Sequence, residues 1–305
     1  MSNDRLAFIF PAFTSDYTDH PAQSVPGFGE RFENFLQTAA GLEDIELLSF
    51  DFHSNNFLDD ELKTQFITYA YSCTLSSLLR EVKINPSISA GYSMGIYAAL
   101  FDTGSVTFGG GLEMIRSAYR SLRSSLDGSY GMGTIIGLSD RDINQLIDKV
   151  APGVQITNRN AAFSYVVSGS REGISCLLNA AKEEGALHIR NLQVSIPYHS
   201  VLLKYGAEEF TRRTKHIEIK TPETRILSLI DSSILSTPEL IRDELYRNLF
   251  RPMNWFTAME TLMKTGITEF LECGPSTALA KNARFTEGIR FYPLTSIFPS
   301  PSATS

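Results

Sequence analysis

Ser93 stands between two glycines in the run AGYSMGIYAAL, which covers residues 90–100. Apolar segments precede and follow this run, which indicates a strand, a tight turn and a helix. The pattern Gly-x-Ser-x-Gly in that setting is typical of a nucleophile elbow, where a sharp turn exposes the serine hydroxyl above a sheet. Glycines suit the two outer positions because side chains there would collide with neighbouring backbone. The alternative is that Ser93 is only a small residue at a tight turn.

A nucleophilic serine needs a base, and the chain has five histidines. His199, in VSIPYHSVLL, follows a predicted strand and a proline turn and precedes a helix, so its side chain can be aimed at the end of a sheet. His20 and His53 lie in polar stretches, His188 alternates within a predicted strand, and His216 lies among charged residues. We therefore take His199 as the candidate general base. The alternative for any single histidine is a surface or capping residue.

The elements around these residues have the pattern of a mainly parallel sheet covered by helices. The run LAFIF at residues 6–10 is apolar throughout and ends at Pro11, as in a strand buried on both faces. Residues 64–82 have helical periodicity, and SISAGYS followed by MGIYAALFDTG indicates a strand, a turn and a helix with a glycine stop. This alternation predicts the α/β class, with a hydrolase-like large domain.

The order of the predicted elements changes between residues 128 and 193 to β-α-β-β-α-β. The strands are MGTIIGL, VQITNRN, SYVVSGS and ALHIRNLQVS, and the helices are SDRDINQLIDKVA and REGISCLLNAAKEEG. This order is that of a ferredoxin-like split unit. We therefore predict a large α/β domain at 1–127 and 194–298, an inserted ferredoxin-like subdomain at 128–193, and a flexible tail at 299–305.

Composition narrows the classes of function. The chain has 305 residues, 43% of them hydrophobic and 20% charged, and a formal net charge of -7. This balance gives no electrostatic reason to expect nucleic acid or an anionic membrane as a partner. The three cysteines have no metal-ligand spacing, which suits a reducing compartment. With no signal-peptide pattern and no membrane-length apolar run, we expect a cytoplasmic protein. We also expect a monomer.

Several short motifs resemble, in order, those of the malonyl-CoA:acyl-carrier-protein transacylase family, which also occurs as acyltransferase domains of polyketide synthases. FIFPAFTSD is similar to its F-P-G-Q-G segment, KTQFITYA to T-Q-P-A, and GYSMGIYAAL to G-H-S-x-G-E-Y-x-A-L. ITNRNAAFSYVVSG, VSIPYHS, NLFRPMNW and LECGPSTAL are similar to its N-x-N, P-x-H-S, N-P-V-x-W and E-x-G-P segments. The resemblance covers nearly the whole chain and implies the family's α/β fold with the inserted unit.

The resemblance implies roles for four residues at the reacting centre. Ser93 corresponds to the acyl-accepting serine, and His199 to the histidine that activates it. The backbone amides of Met94 and Phe13 correspond to the family's oxyanion hole, with Phe13 in the position of a glutamine. These residues would form a Ser-His dyad held by backbone groups.

Further residues correspond to the surroundings of the dyad. Asn160 matches the second asparagine of the N-x-N segment and is a candidate substrate-binding residue. Asn254 stands where the family has a residue whose backbone helps to orient the histidine. Tyr92 replaces the family's histidine before the serine, Ile96 replaces its glutamate, and Ala12 replaces a glycine.

One departure concerns the acyl group. In family members that use malonyl groups, an arginine on the helix after the serine pairs with the free carboxylate. Its position here falls on Ser117 or Ala118, with Arg116 beside them. A shift of one residue rotates a side chain by about 100° around a helix, and an unpaired buried carboxylate is costly. We therefore expect uncharged acyl groups to be favoured; the alternative is that Arg116 itself pairs with the free carboxylate of a malonyl group.

These residues and the resemblance predict a serine acyltransferase of fatty-acid or polyketide synthesis. Its reaction would move an acyl group from a CoA or carrier-protein thioester, through an acyl-serine, to the thiol of an acyl carrier protein. The thioester is the substrate, and we expect no cofactor and no metal. The alternatives are an acyl hydrolase that clears carrier proteins, an ordinary malonyl transacylase with Arg116 as the carboxylate clamp, and a docking partner without catalysis.

Overall fold

The computed structural model describes residues 3–13, 22, 25–43, 46–51 and 60–298. The predictions for His20, His53 and the tail at 299–305 lie outside these residues. The described strands are β1 (Leu6–Phe10), β2 (Ile88–Gly91), β3 (Tyr130–Ile136), β4 (Gln155–Ala161), β5 (Ser164–Ser170), β6 (His188–Leu192), β7 (Arg225–Leu227), β8 (Ile234–Leu235), β9 (Met253–Asn254), β10 (Glu269–Glu272) and β11 (Arg290–Phe291). The described helices are α1 (Phe28–Glu43), α2 (Glu61–Glu81), α3 (Ile96–Asp102), α4 (Phe108–Ser124), α5 (Asp140–Val150), α6 (Arg171–Glu183), α7 (Lys204–Thr214), α8 (Pro238–Asn248), α9 (Trp255–Lys264) and α10 (Ala278–Asn282). None of these helices is long and apolar enough to cross a membrane.

The larger sheet of the described residues has six strands in the order β11-β10-β1-β2-β7-β8. Every neighbouring pair is parallel except β7 and β8, so the predicted mainly parallel sheet is confirmed. All five side chains of β1 are fully buried, as its unbroken apolar run predicts. Leu6, Phe8 and Phe10 pack with α1, α2, α3, α4 and α7, while Ala7 and Ile9 pack with α9 on the other face. Helices therefore cover both faces, as the α/β class requires.

The smaller sheet has the order β6-β3-β5-β4-β9. Neighbours among β3, β4, β5 and β6 are antiparallel, and α5 and α6 pack against them through a separate apolar cluster. This strand order with the connection β3-α5-β4-β5-α6-β6 is that of a ferredoxin-like split unit. β9 comes from a later part of the chain and pairs in parallel with β4, Asn158 opposite Met253 and Arg159 opposite Asn254. The domain boundaries at 128 and 193 remain predictions.

The turn between β2 and α3 brings the backbone around Ser93 against the end of β1. A Cβ atom on Gly91 would overlap the backbone of Ile96, and one on Gly95 would overlap the carbonyl oxygen of Phe10. Glycine is therefore required at both positions of the predicted elbow. Ser93 itself has a φ of +55°, a left-handed conformation that is strained for a residue with a side chain and that the elbow imposes.

Gly95→Ala is expected to destabilise the protein, because the methyl group would also lie 2.7 Å from the carbonyl oxygen of Pro11 and backbone would have to move. We expect the free energy of unfolding, measured in urea, to fall by about 2–3 kcal/mol. Gly29→Ala is the matched control: its methyl group meets no atom within 4 Å, so stability should stay level or rise slightly. Equal stability of the two variants would contradict the close approach at Gly95.

Candidate active site

Ser93 and His199 meet at the carboxyl end of β2. The Oγ atom of Ser93 lies 2.7 Å from Nε2 of His199, and the two residues are 7% and 2% exposed. His199 has a φ of +61°, and its backbone N–H donates to the carbonyl oxygen of Leu249 at 3.1 Å, which holds the turn that aims the ring at the serine. Residues 106 positions apart in the sequence thus form a nucleophile and base pair.

The surroundings of His199 keep its ring neutral. Burial lowers the pKa of His199 to about 4, while the backbone groups of Asn248 and Arg251 act in the opposite direction. Among the described residues, the buried Nδ1 atom has no hydrogen-bond partner of good geometry. A neutral imidazole can accept the proton of Ser93 at neutral pH.

Asn248 connects the two members of the pair, and the sequence analysis missed it. Its side-chain Nδ2 donates to the carbonyl oxygen of Ser93 at 3.2 Å, and its backbone acts on the ring of His199. Asn248 is the last residue of α8 and is 4% exposed. The sequence feature that could have pointed to Asn248 is its position at the start of NLFRPMNW, a segment that is similar to a family motif.

The structure gives Asn254 a different role from the predicted one. Its N–H donates to the carbonyl oxygen of Leu229 at 2.8 Å, and its side chain accepts from the N–H of Thr257 at 3.0 Å as the N-cap of α9. The backbone groups that act on the His199 ring are those of Asn248 and Arg251, so the orienting role of the Asn254 backbone remains a prediction.

Phe13 and Met94 follow the neighbouring parallel strands β1 and β2, so they come to the same edge of the sheet as Ser93. Met94 lies in the single helical turn at 93–95 that leads into α3, where N–H groups favour negative charge. The ring of Phe13 packs edge-on against Tyr198, with centroids 6.2 Å apart. The roles of the two N–H groups in an oxyanion hole remain predictions.

Ser93 and His199 lie in the wall of a cavity of about 270 Å³. The other lining residues are Ala12, Phe13, Glu61, Thr64, Tyr92, Met132, Asn158, Val166, Arg190, Leu192, Gln193, Val194 and Tyr198. Strands of the smaller sheet contribute side chains, and so do the segments that follow β1 and β2 of the larger sheet, so the cavity lies between the smaller sheet and the carboxyl ends of these two strands. The sequence analysis missed Glu61, Asn158 and Arg190 as lining residues. The described residues contain no group of three or more His, Cys, Asp or Glu side chains placed to hold a metal ion.

Tyr92 links the residue before the nucleophile to the smaller sheet. Its hydroxyl donates to Oδ1 of Asn160 at 2.7 Å and accepts from Nδ2 of Asn158 at 2.9 Å, and its ring packs edge-on against Trp255. Burial raises the pKa of Tyr92 to about 12, so the hydroxyl stays protonated and continues to donate. Asn160 contacts Tyr92, and Asn158 rather than Asn160 lines the cavity, so the contact of Asn160 with substrate remains a prediction.

The predicted pocket residues of α4 lie elsewhere, since Arg116, Ser117 and Ala118 do not line the cavity. Arg116 is partly exposed and pairs with Glu113 at 3.9 Å. Ser117 and Ala118 are buried in the core, at 8% and 0% exposure. The residue of α4 that approaches the elbow is Ile115, in the wall of a separate cavity of about 10 Å³. Their roles as substrate-binding residues, and that of Arg116 as a carboxylate clamp, remain predictions that this cavity does not support.

The rate of Ser93 acylation is expected to depend on pH through His199. The ring must be neutral to accept a proton, so the rate should rise as the pH increases through about 4 and stay level from there to neutral pH. His199→Ala should slow acylation by roughly 10²–10⁴-fold and remove the step. Rapid-quench mass spectrometry measures the acylation rate of the wild type and of His199→Ala at each pH, and circular dichroism excludes unfolding in acid. A step near the ordinary histidine value of 6.5 would mean that the ring is solvated.

Asn248→Ala is expected to slow acylation by about tenfold, because the carbonyl oxygen of Ser93 loses a buried donor and the elbow loosens. Asn254→Ala is the matched control, since it removes a helix cap worth about 1 kcal/mol of stability but no contact with the dyad. The single-turnover acylation rates of the two variants are compared under conditions in which urea unfolding shows both to be fully folded. Equal slowing in both variants would assign Asn248 a purely structural role.

Known proteins resemble the chain over most of its length, although no protein-family model matches it. A curated malonyl CoA-acyl carrier protein transacylase of Bacillus subtilis (strain 168) is 26% identical over 288 residues, covering 90% of this chain and 88% of that protein. The solved structure of the malonyl CoA-acyl carrier protein transacylase of Coxiella burnetii has 26% identity and a TM-score of 0.86, covering 96% of this chain and 94% of that one.

A second solved structure contains a type II polyketide synthase acyl-carrier protein in complex with its malonyl-transacylase. It has 25% identity and a TM-score of 0.85, covering 94% of this chain and 95% of that one. Over most of its length the chain is therefore similar, in sequence and in fold, to malonyl CoA-acyl carrier protein transacylases.

Proposed function

We propose that the protein moves an acyl group from a CoA or carrier-protein thioester to the thiol of an acyl carrier protein through an acyl-Ser93 intermediate. The observation that carries this proposal is the 2.7 Å contact between Oγ of Ser93 and Nε2 of His199 in the cavity wall. The relatives support it, because the curated one is named for this transfer with malonyl groups and a solved one is bound to an acyl-carrier protein.

The proposed reaction has two halves that use the same pair. Oγ of Ser93 attacks the thioester carbonyl carbon while His199 takes its proton; the carbon–sulfur bond breaks, and the imidazolium returns the proton to the leaving thiolate. The carrier-protein thiol then gives its proton to His199, attacks the acyl-serine and releases the Ser93 hydroxyl. The N–H groups of Met94 and Phe13 are the proposed donors to the oxyanion in both halves. The thioester brings its own pantetheine arm, so no cofactor takes part.

The favoured cargo in this proposal is an uncharged acyl group such as acetyl or a longer chain. The cavity wall holds no arginine from α4, so that helix offers no guanidinium to a malonyl carboxylate. Met132, Val166 and Leu192 line the same cavity, and an uncharged chain that covers them gains free energy from apolar burial. A carboxylate buried there without a partner would lose hydration.

Intact-mass measurement after incubation with acetyl-, butyryl- and malonyl-CoA tests the proposal. Wild-type protein is expected to form acetyl and butyryl adducts about tenfold faster than the malonyl adduct, the effect of one missing charge-assisted bond. Ser93→Ala should form none while keeping its fold, because one hydroxyl at a turn contributes little to stability.

The fate of the adduct decides between transfer and hydrolysis. An adduct that persists until phosphopantetheinylated carrier protein is added, and then appears on that protein, supports transfer. Release of free acid without carrier protein would make the protein a hydrolase. An acyl adduct on Ser93→Ala would show that another residue is the nucleophile. Faster loading of malonyl than of acetyl or butyryl groups on the wild type would contradict the proposed cargo.

A further inference from the structure

Glu61 places a carboxylate in the wall of the acyl cavity. It is the first residue of α2, and three donors hold its side chain: the hydroxyl of Tyr198 at 2.6 Å, and the N–H and Oγ of Ser195 at 3.2 and 3.1 Å. Gln65 Nε2 donates in turn to the Tyr198 hydroxyl at 2.9 Å. These bonds prevent the carboxylate from turning away toward solvent.

The charge of Glu61 acts on the cavity without an ion-pair partner in the described part of the chain, although Arg190 lines the same cavity and Arg171 lines a neighbouring one with Glu61. No described residue forms a salt bridge with Glu61. Burial is the main cause of the raised pKa of Tyr198, which lines the same cavity, and the charge of Glu61 raises this pKa further. Arg190 is a cation in the same wall, but it is exposed on β6, where water and salt screen it. An acyl group with a free carboxylate therefore meets a fixed charge of its own sign.

We propose that Glu61 is a specificity-determining residue that makes the acyl cavity select acyl groups without a free carboxylate. This inference rests on the acyl transfer proposed above, and it assigns the choice of cargo to a repulsive group in addition to the missing arginine. Specific sites commonly combine an attractive contact for one ligand with a repulsive one against its competitor. Malonyl differs from acetyl by one carboxylate, so the pair isolates this effect.

The ratio of malonyl to acetyl loading on Ser93 measures the effect of Glu61. Glu61→Gln keeps the size of the side chain but removes the charge; its single amide oxygen can still accept from Ser195, while its NH2 group would donate to the Tyr198 hydroxyl instead of accepting from it. We expect it to raise the ratio at least about tenfold. Glu113→Gln is the matched control, because this residue pairs with Arg116 and His216 outside the cavity and the same change there should leave the ratio as in the wild type.

Arg190→Gln tests whether the exposed cation holds the carboxylate instead. If Glu61 decides the selection, loss of this guanidinium should change malonyl and acetyl loading by similar factors. A specific loss of malonyl loading in Arg190→Gln would overturn the inference. Reaction of Ser93 with a neutral sulfonyl fluoride reports whether Ser93 and His199 still form a reactive pair in each variant. This control separates a loss of serine reactivity from a change in the preference between malonyl and acetyl groups.

The outcomes separate this inference from the proposed function. Adducts with both thioesters and an unchanged ratio in Glu61→Gln would overturn the role of Glu61 and leave acyl transfer standing. No adduct with any thioester in the wild type would overturn the proposed function and this inference with it. A raised ratio in Glu61→Gln with the control unchanged supports both.

Discussion

The contact between the elbow and the end of β1 is the constraint on which the site depends. The carbonyl oxygen of Phe10 accepts from the N–H of Tyr92 at 2.8 Å, and Gly95 passes so close to the same oxygen that no side chain fits between them. Held on both sides in this way, Ser93 keeps a positive φ that it would not adopt in a free peptide. Packing of β1 in the core thus stabilises the strained conformation of the nucleophile.

Buried polar contacts extend this constraint to the parts of the site that come from distant positions in the chain. Asn248 donates to the backbone of Ser93, and the hydroxyl of Tyr92 bonds to two asparagines of the smaller sheet. Each of these groups would cost free energy if it were buried without a partner, so each bond favours one arrangement of the site. The cavity keeps its shape because its walls are joined through these bonds as well as by apolar packing.

Local patterns predicted the parts of the site whose signal lies within one stretch of chain. The glycines around Ser93 follow from the turn itself, and the place of His199 followed from a strand, a proline and the family resemblance. Asn248 and Glu61 were missed because their partners lie 155 and 137 residues away, and an asparagine or glutamate carries no signal for such a contact. The residues of α4 pose a different difficulty: a shift by one residue changes which side chain points inward, and spacing in the sequence does not settle which of them faces the cavity.

The pairing of β9 with β4 bears on how the site is entered. A split unit of this kind, if attached only at its two chain ends, would be free to swing like a lid. Here a strand from a later part of the chain is hydrogen-bonded to its edge strand and continues directly into α9, whose first residue, Trp255, is buried. A hinge motion of the split unit would either break this ladder or, if β9 moved with it, pull the indole of Trp255 out of its packing. For the proposed transfer, this means that the pantetheine arm of a thioester would enter a cleft that is already formed, and that side chains at its rim rather than domain closure would decide which arms enter.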